Sequence, residues 1–150
     1  MGGSQAGEGF PTPIAAKLTG VTIGNLDKWY RTGFLVPSIA DAPSRGVSRV
    51  YGFRDLVAIR VVLELREQGI SLQSLRLVVE YLRSRKGLTS ASELLASSTL
   101  ISDGRDVYTV EENKPISALR RPGQRLLLMV PLGELVTELR AKTRAFQAAA

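Results

Sequence analysis

Two short helix-forming stretches, separated by Thr19-Gly20-Val21-Thr22 and closed by Gly33, constrain this 150-residue chain more than any other feature. Thr12 is suited to cap the first stretch. Pro13 fits its opening turn, where the missing N–H would be unpaired anyway. The helix is expected over residues 14–18 and stops at Thr19-Gly20. Thr22 then caps a second helix running to about Arg31, whose apolar residues Ile23, Leu26 and Trp29/Tyr30 recur every three or four positions and predict one buried face. Gly33 ends it as a left-handed residue just past a helix would. Two helices joined by so tight a glycine turn make a helix-turn-helix pattern.

The continuation predicts small β elements and more helix. Phe34-Leu35-Val36 reads as a short strand and Val50-Tyr51 as its return, with a Pro/Ser/Arg/Gly wing loop over 37–49 between them. Helices are expected over 53–68, with Leu56, Ile59 and Val62/Leu63 in the core, and from the Ser71 cap onward, with a stripe of Leu72, Leu75, Val78/Val79 and Leu82. Gly87 breaks the pattern. A Ser90/Glu93 capping pair precedes a short helix over 91–96. Strand-like residues 99–102 and 106–110 flank the turn signal Asp103-Gly104. Polar turns follow at 111–114 and 121–123, then a buried strand over 126–130 and a closing helix over 132–146. The predicted fold class is mainly α with small β elements: a disordered leader (1–11), a winged helix-turn-helix (12–86) and a small α+β region for dimerisation or partner binding (87–150).

Charge and composition narrow the function. Residues 1–86 carry twelve Lys/Arg against seven Asp/Glu, and residues 87–150 carry eight against seven, so nearly all of the net charge of +6 lies in the first part. A polyanion is drawn mainly to that half. Without cysteine or histidine, metal binding rests on carboxylates alone, and none cluster at ligand spacing. No cofactor is expected. The close acidic pairs Asp103/Asp106 and Glu111/Glu112 fall in predicted turns as solvated charges, and no phosphate-binding glycine loop occurs, so an enzyme is not expected. No apolar run reaches the ~18 residues of a membrane span.

Residues 14–82 resemble the DNA-binding domain of the MerR family. The likeness is carried by Leu18-Thr19-Gly20-Val21-Thr22, Leu26, Trp29, Arg31, Gly33-Phe34-Leu35 and Pro37, and then by Arg49-Val50-Tyr51, Asp55-Leu56, Ile59-Arg60, Leu63, Leu65-Arg66, Gly69 and Ser71-Leu72. It implies a bacterial, cytoplasmic, nucleoid-associated regulator that binds double-stranded DNA as a homodimer. Asp27 departs from the family, which usually carries arginine there; this carboxylate either accepts from a cytosine amino group or pairs with Arg31 four residues on. The metal-sensing machinery of some members needs cysteines or histidines that this chain lacks. Asp103-Gly104-Arg105-Asp106-Val107-Tyr108, with Gly123-Gln124 and the closing helix, is loosely similar to the middle region of certain MerR-like antitoxins, which makes an antitoxin with a cognate toxin partner the alternative reading. A DNA-bending excisionase-like factor is a third.

The candidate DNA contacts follow from side-chain chemistry. Thr22, Gly24, Asn25 and Lys28 stand near the start of the second helix, where short polar or cationic groups reach base edges and phosphates. Asn25 suits an adenine edge or simply solvent. Lys28 and Arg31 suit phosphates or a solvated face, and Trp29 belongs to the core. In the wing, Arg45, Ser48 and Arg49 are placed to reach backbone or minor groove, with Gly46 giving freedom for close approach. Tyr51 is expected to pack beneath the wing with its hydroxyl near phosphate.

Overall fold

The computed structural model describes residues 9–39, 49–87, 90–103, 105–111, 114–117 and 128–149, with backbone alone at 110–111, 114–117 and 128. Its chain order is β1 (Phe10–Pro11), α1 (Thr12–Thr19), α2 (Ile23–Arg31), β2 (Val50–Tyr51), α3 (Phe53–Glu67), α4 (Leu72–Lys86), α5 (Ala91–Ala96), β3 (Leu100–Ser102), β4 (Val107–Glu111), β5 (Lys114–Ser117), β6 (Leu128–Met129) and α6 (Leu132–Ala149).

Glycines just past the helices set the turns. Gly20 lies at φ +85° and its N–H reaches Ala16 O at 2.8 Å, which turns the chain from α1 into α2. At the end of α2, Gly33 (φ +74°) donates to Tyr30 O at 3.0 Å and Phe34 to Trp29 O at 2.9 Å. These two bonds are the Schellman pattern, and the Phe34 ring meets Trp29 edge-on at 6.1 Å, the apolar contact that accompanies it. Gly69 (φ +98°) repeats the device after α3: Gly69 donates to Arg66 O and Ile70 to Leu65 O, each at 3.0 Å.

The central element is α3. Leu56, Val57, Ala58, Ile59, Val61, Val62 and Leu65 are all buried, more than one helical face can hold. Neighbours therefore cover it on several sides: α5, α6 and α1 all pack against it. A single apolar cluster runs from Phe10 through α1–α5 to Leu135 and Leu139 of α6. Phe10 and Phe146 close it at the far side with ring centroids 6.0 Å apart. Four antiparallel strands in the order β5-β4-β3-β6 form the later sheet, with Ile101 opposite both Tyr108 and Met129.

Several expectations change. Helix α1 begins two residues early, at Thr12, with Pro11 as the cap residue. Residues 10–11 of the expected leader form a strand, pairing Phe10 with Tyr51 and Pro11 with Val50. Val50-Tyr51 is therefore not the return of a strand at 34–36, which has no strand conformation. Phe34 and Leu35 are buried as the apolar end of the α2 turn rather than as a sheet edge. Ile23 is 46% exposed and does not share the buried face of Leu26 and Trp29. Asp103 and Asp106 are buried, not solvated: Asp103 Oδ1 accepts from the Arg105 and Asp106 amides at 2.9 and 2.8 Å and shapes the β3–β4 turn. Strand β5 was not anticipated, and the turn at 121–123 lies outside the described residues.

Candidate nucleic-acid interface

The first turn of α2 is built to stand outward. Thr22 Oγ1 accepts from the Asn25 N–H at 3.0 Å, fixing the helix start. Leu26 and Trp29 anchor the opposite side at 1% and 3% exposure. Thr22, Ile23, Gly24, Asn25 and Lys28 are left exposed together, and Arg31 is exposed at the helix end. Five of the predicted contact positions thus share one surface: Thr22, Gly24, Asn25, Lys28 and Arg31.

Both stems of the wing are tied down by carboxylates. On the outgoing side, Asp55 Oδ2 accepts from the Ser38 N–H at 2.8 Å, from the Ser38 hydroxyl at 2.7 Å and from the Gly52 N–H at 2.8 Å. Asp55 is the third residue of α3, so it also completes one half of a capping box at the helix start. A Cβ on Gly52 would come within 3.1 Å of Ser38 Oγ and 3.2 Å of Ile39 Cγ1, so the wing stem packs directly on bare backbone. Ser38 and Asp55 were not anticipated as site-forming residues. The signal was present in the glycine–x–x–aspartate spacing before an apolar helix.

On the return side, Arg49 pairs with Asp27 and lies over the Tyr30 ring, 4.8 Å from its centroid. The expected Asp27–Arg31 pair is thus replaced by a link from the recognition helix to the wing. The Arg49 side chain is only 13% exposed. Its guanidinium, offered by sequence as a DNA contact, is engaged inside the protein. Tyr51 is 1% exposed and packs beneath the wing stem. Its hydroxyl sits near Thr12 without closing a hydrogen bond of standard geometry, and burial raises its pKa above the ordinary phenol value despite the Arg49 charge. That hydroxyl is buried. Arg45, Gly46 and Ser48 lie outside the described residues.

The basic end of α4 is also partly engaged. Lys86 donates to Ser98 Oγ at 2.8 Å and to Ser97 O at 3.1 Å, which holds the end of α5 against α4. Arg76 lies over the Phe34 ring at 5.3 Å, bracing the turn that follows α2.

Comparison with known proteins agrees with this geometry. The model of the MerR HTH family of regulatory proteins matches residues 14–82. Uncharacterized HTH-type transcriptional regulators of Mycobacterium bovis and of two Mycobacterium tuberculosis strains are each 37% identical over 116 residues. That alignment covers 77% of this chain, which spans about half (49%) of the length of these relatives. No solved structure matches. Residues 14–82, with their glycine-set helix-turn-helix and anchored wing stem, match the MerR HTH family of regulatory proteins and form a helix-turn-helix domain of that type.

Proposed function

We propose that the chain is a sequence-specific, double-stranded DNA-binding transcriptional regulator that acts as a homodimer in the cytoplasm. The observation that carries this is the exposed first turn of α2, with Thr22, Gly24, Asn25 and Lys28 together on a helix held by Leu26 and Trp29. Such a turn fits a major groove, and Arg49, at the return stem, is tied to the same helix through Asp27. The relatives' naming as transcriptional regulators supports the same reading. One module of this size offers only roughly 600–1,000 Å² to DNA, so useful specificity calls for two half-sites and two copies. Among the described residues no helix is long and apolar enough to cross a membrane. The antitoxin reading gains no observation of its own.

The test is a salt titration on a selected DNA site. Several phosphate contacts make log affinity fall linearly and steeply with log salt. A salt-independent affinity would count against the proposal.

A further inference from the structure

We propose that the first turn of α2 reads the 5-methyl group of a thymine, with Ile23 as the contact and Gly24 as the clearance that lets the groove floor approach. The inference rests on the DNA-binding reading and makes it specific. Ile23 is the first residue of α2 and is 46% exposed, while Leu26 and Trp29 further along the helix are buried. Its side chain contributes little to the core and lies at one edge of the exposed surface that Thr22, Gly24, Asn25 and Lys28 also share.

Gly24 supplies the second, independent observation. It is not among the glycines with positive φ, so its backbone does not require glycine. Among the described residues a Cβ built there meets only Thr22 Oγ1, at 3.9 Å, an ordinary contact. Alanine would fit and would favour the helix. Among the described residues nothing explains the missing side chain. Its outward consequence is a bare stretch of helix beside an exposed branched apolar side chain, a shape suited to a surface that comes close and carries a small apolar projection. The flanking Asn25 amide and Lys28 ammonium specify a surface that is anionic and rich in hydrogen-bonding edges. In a DNA major groove the thymine methyl is the apolar group that base edges present.

The experiment uses the full chain and its selected DNA site, with each thymine replaced in turn by deoxyuridine, which removes only the methyl group. For the wild type, one thymine per half-site is expected to lose about fourfold in affinity on replacement, the equivalent of one buried carbon group. Ile23→Ala should bind more weakly and show no further loss at that position, and Ile23→Val should fall between. Gly24→Ala should raise the thermal midpoint while weakening the site. The proposal is overturned if uracil is tolerated at every position, or if Ile23→Ala retains the uracil penalty. Failure to select any DNA would overturn both this inference and the function on which it rests. Selection of a site indifferent to uracil would overturn the inference alone.

Discussion

Asp27 is the point at which the sequence departs from its MerR resemblance, and at the residue scale the structure gives it a partner in Arg49. The guanidinium is held between the Asp27 carboxylate and the Tyr30 ring, which ties the return stem of the wing to α2. The pair is neither fully buried nor fully exposed, at 13% and 40%. Its loss is expected to cost roughly 1–2 kcal/mol, between exposed and buried pairs. A double-mutant cycle of Asp27→Asn and Arg49→Gln in denaturant should show that coupling; additive effects would remove Arg49 from this positioning role. Asp55→Ala removes the acceptor of three hydrogen bonds at once and should cost about 2–4 kcal/mol in the same measurement. Gly24→Ala should instead stabilise the chain by up to about 1 kcal/mol, because an exposed helical glycine has no contact to lose. At this scale the sequence located the exposed turn well. Local chemistry sufficed for the Thr22 cap, whereas the Asp27 partner lies 22 residues away in sequence and no spacing rule reaches it.

At the scale of elements, the helices were legible because their caps are local. Thr22, Ser71 and Ser90 all accept hydrogen bonds from the third residue of the helix that follows each of them. The strands were less so. Phe34-Leu35-Val36 has strand composition, but the Schellman turn after α2 consumes it, and the partner of Val50-Tyr51 comes from the amino-terminal side of α1. A two-residue strand depends on what lies beside it, and that is a tertiary fact. Two later elements carry acid sensitivity. Burial raises the Asp103 carboxyl, but hydrogen bonds from the Asp106 and Arg105 amides and the Tyr108 hydroxyl outweigh it and hold its pKa below the ordinary value. Glu138 on α6 is lowered by Lys142 and by Arg60 of α3, the latter at 2.6 Å. Carboxyls lowered on folding stabilise the native state above their unfolded pKa of about 4 and lose that contribution as pH falls through the folded value. Stability should therefore drop on acidification below pH ~4, and Asp103→Asn should flatten that drop. An unchanged acid limb in denaturant titrations of the variant would contradict the assignment.

At the scale of the molecule, the charge asymmetry along the chain suggested two regions, while the apolar cluster joins them. Leu135 and Leu139 of α6 lie in the same core as Leu56 and Ile59 of α3. Periodicity showed that the last helix has an apolar face but not what that face covers. Leu139→Ala should cost about 2–4 kcal/mol. Fluorescence of Trp29, the only tryptophan, should report the loss as fully as circular dichroism does. A Trp29 midpoint unmoved by the substitution would mean that α6 unfolds separately. The position of α6 against α3 and α1 therefore bears on how firmly the α2 surface is presented, since α1 packs on both α2 and α6. The most direct measurement is selection of bound sequences from a random double-stranded DNA pool. Binding by two copies through α2 and the wing predicts enrichment of a two-fold symmetric site whose half-sites lie about one helical turn, or a multiple of it, apart. A pool left unenriched at low salt, or enriched without symmetry, would contradict it.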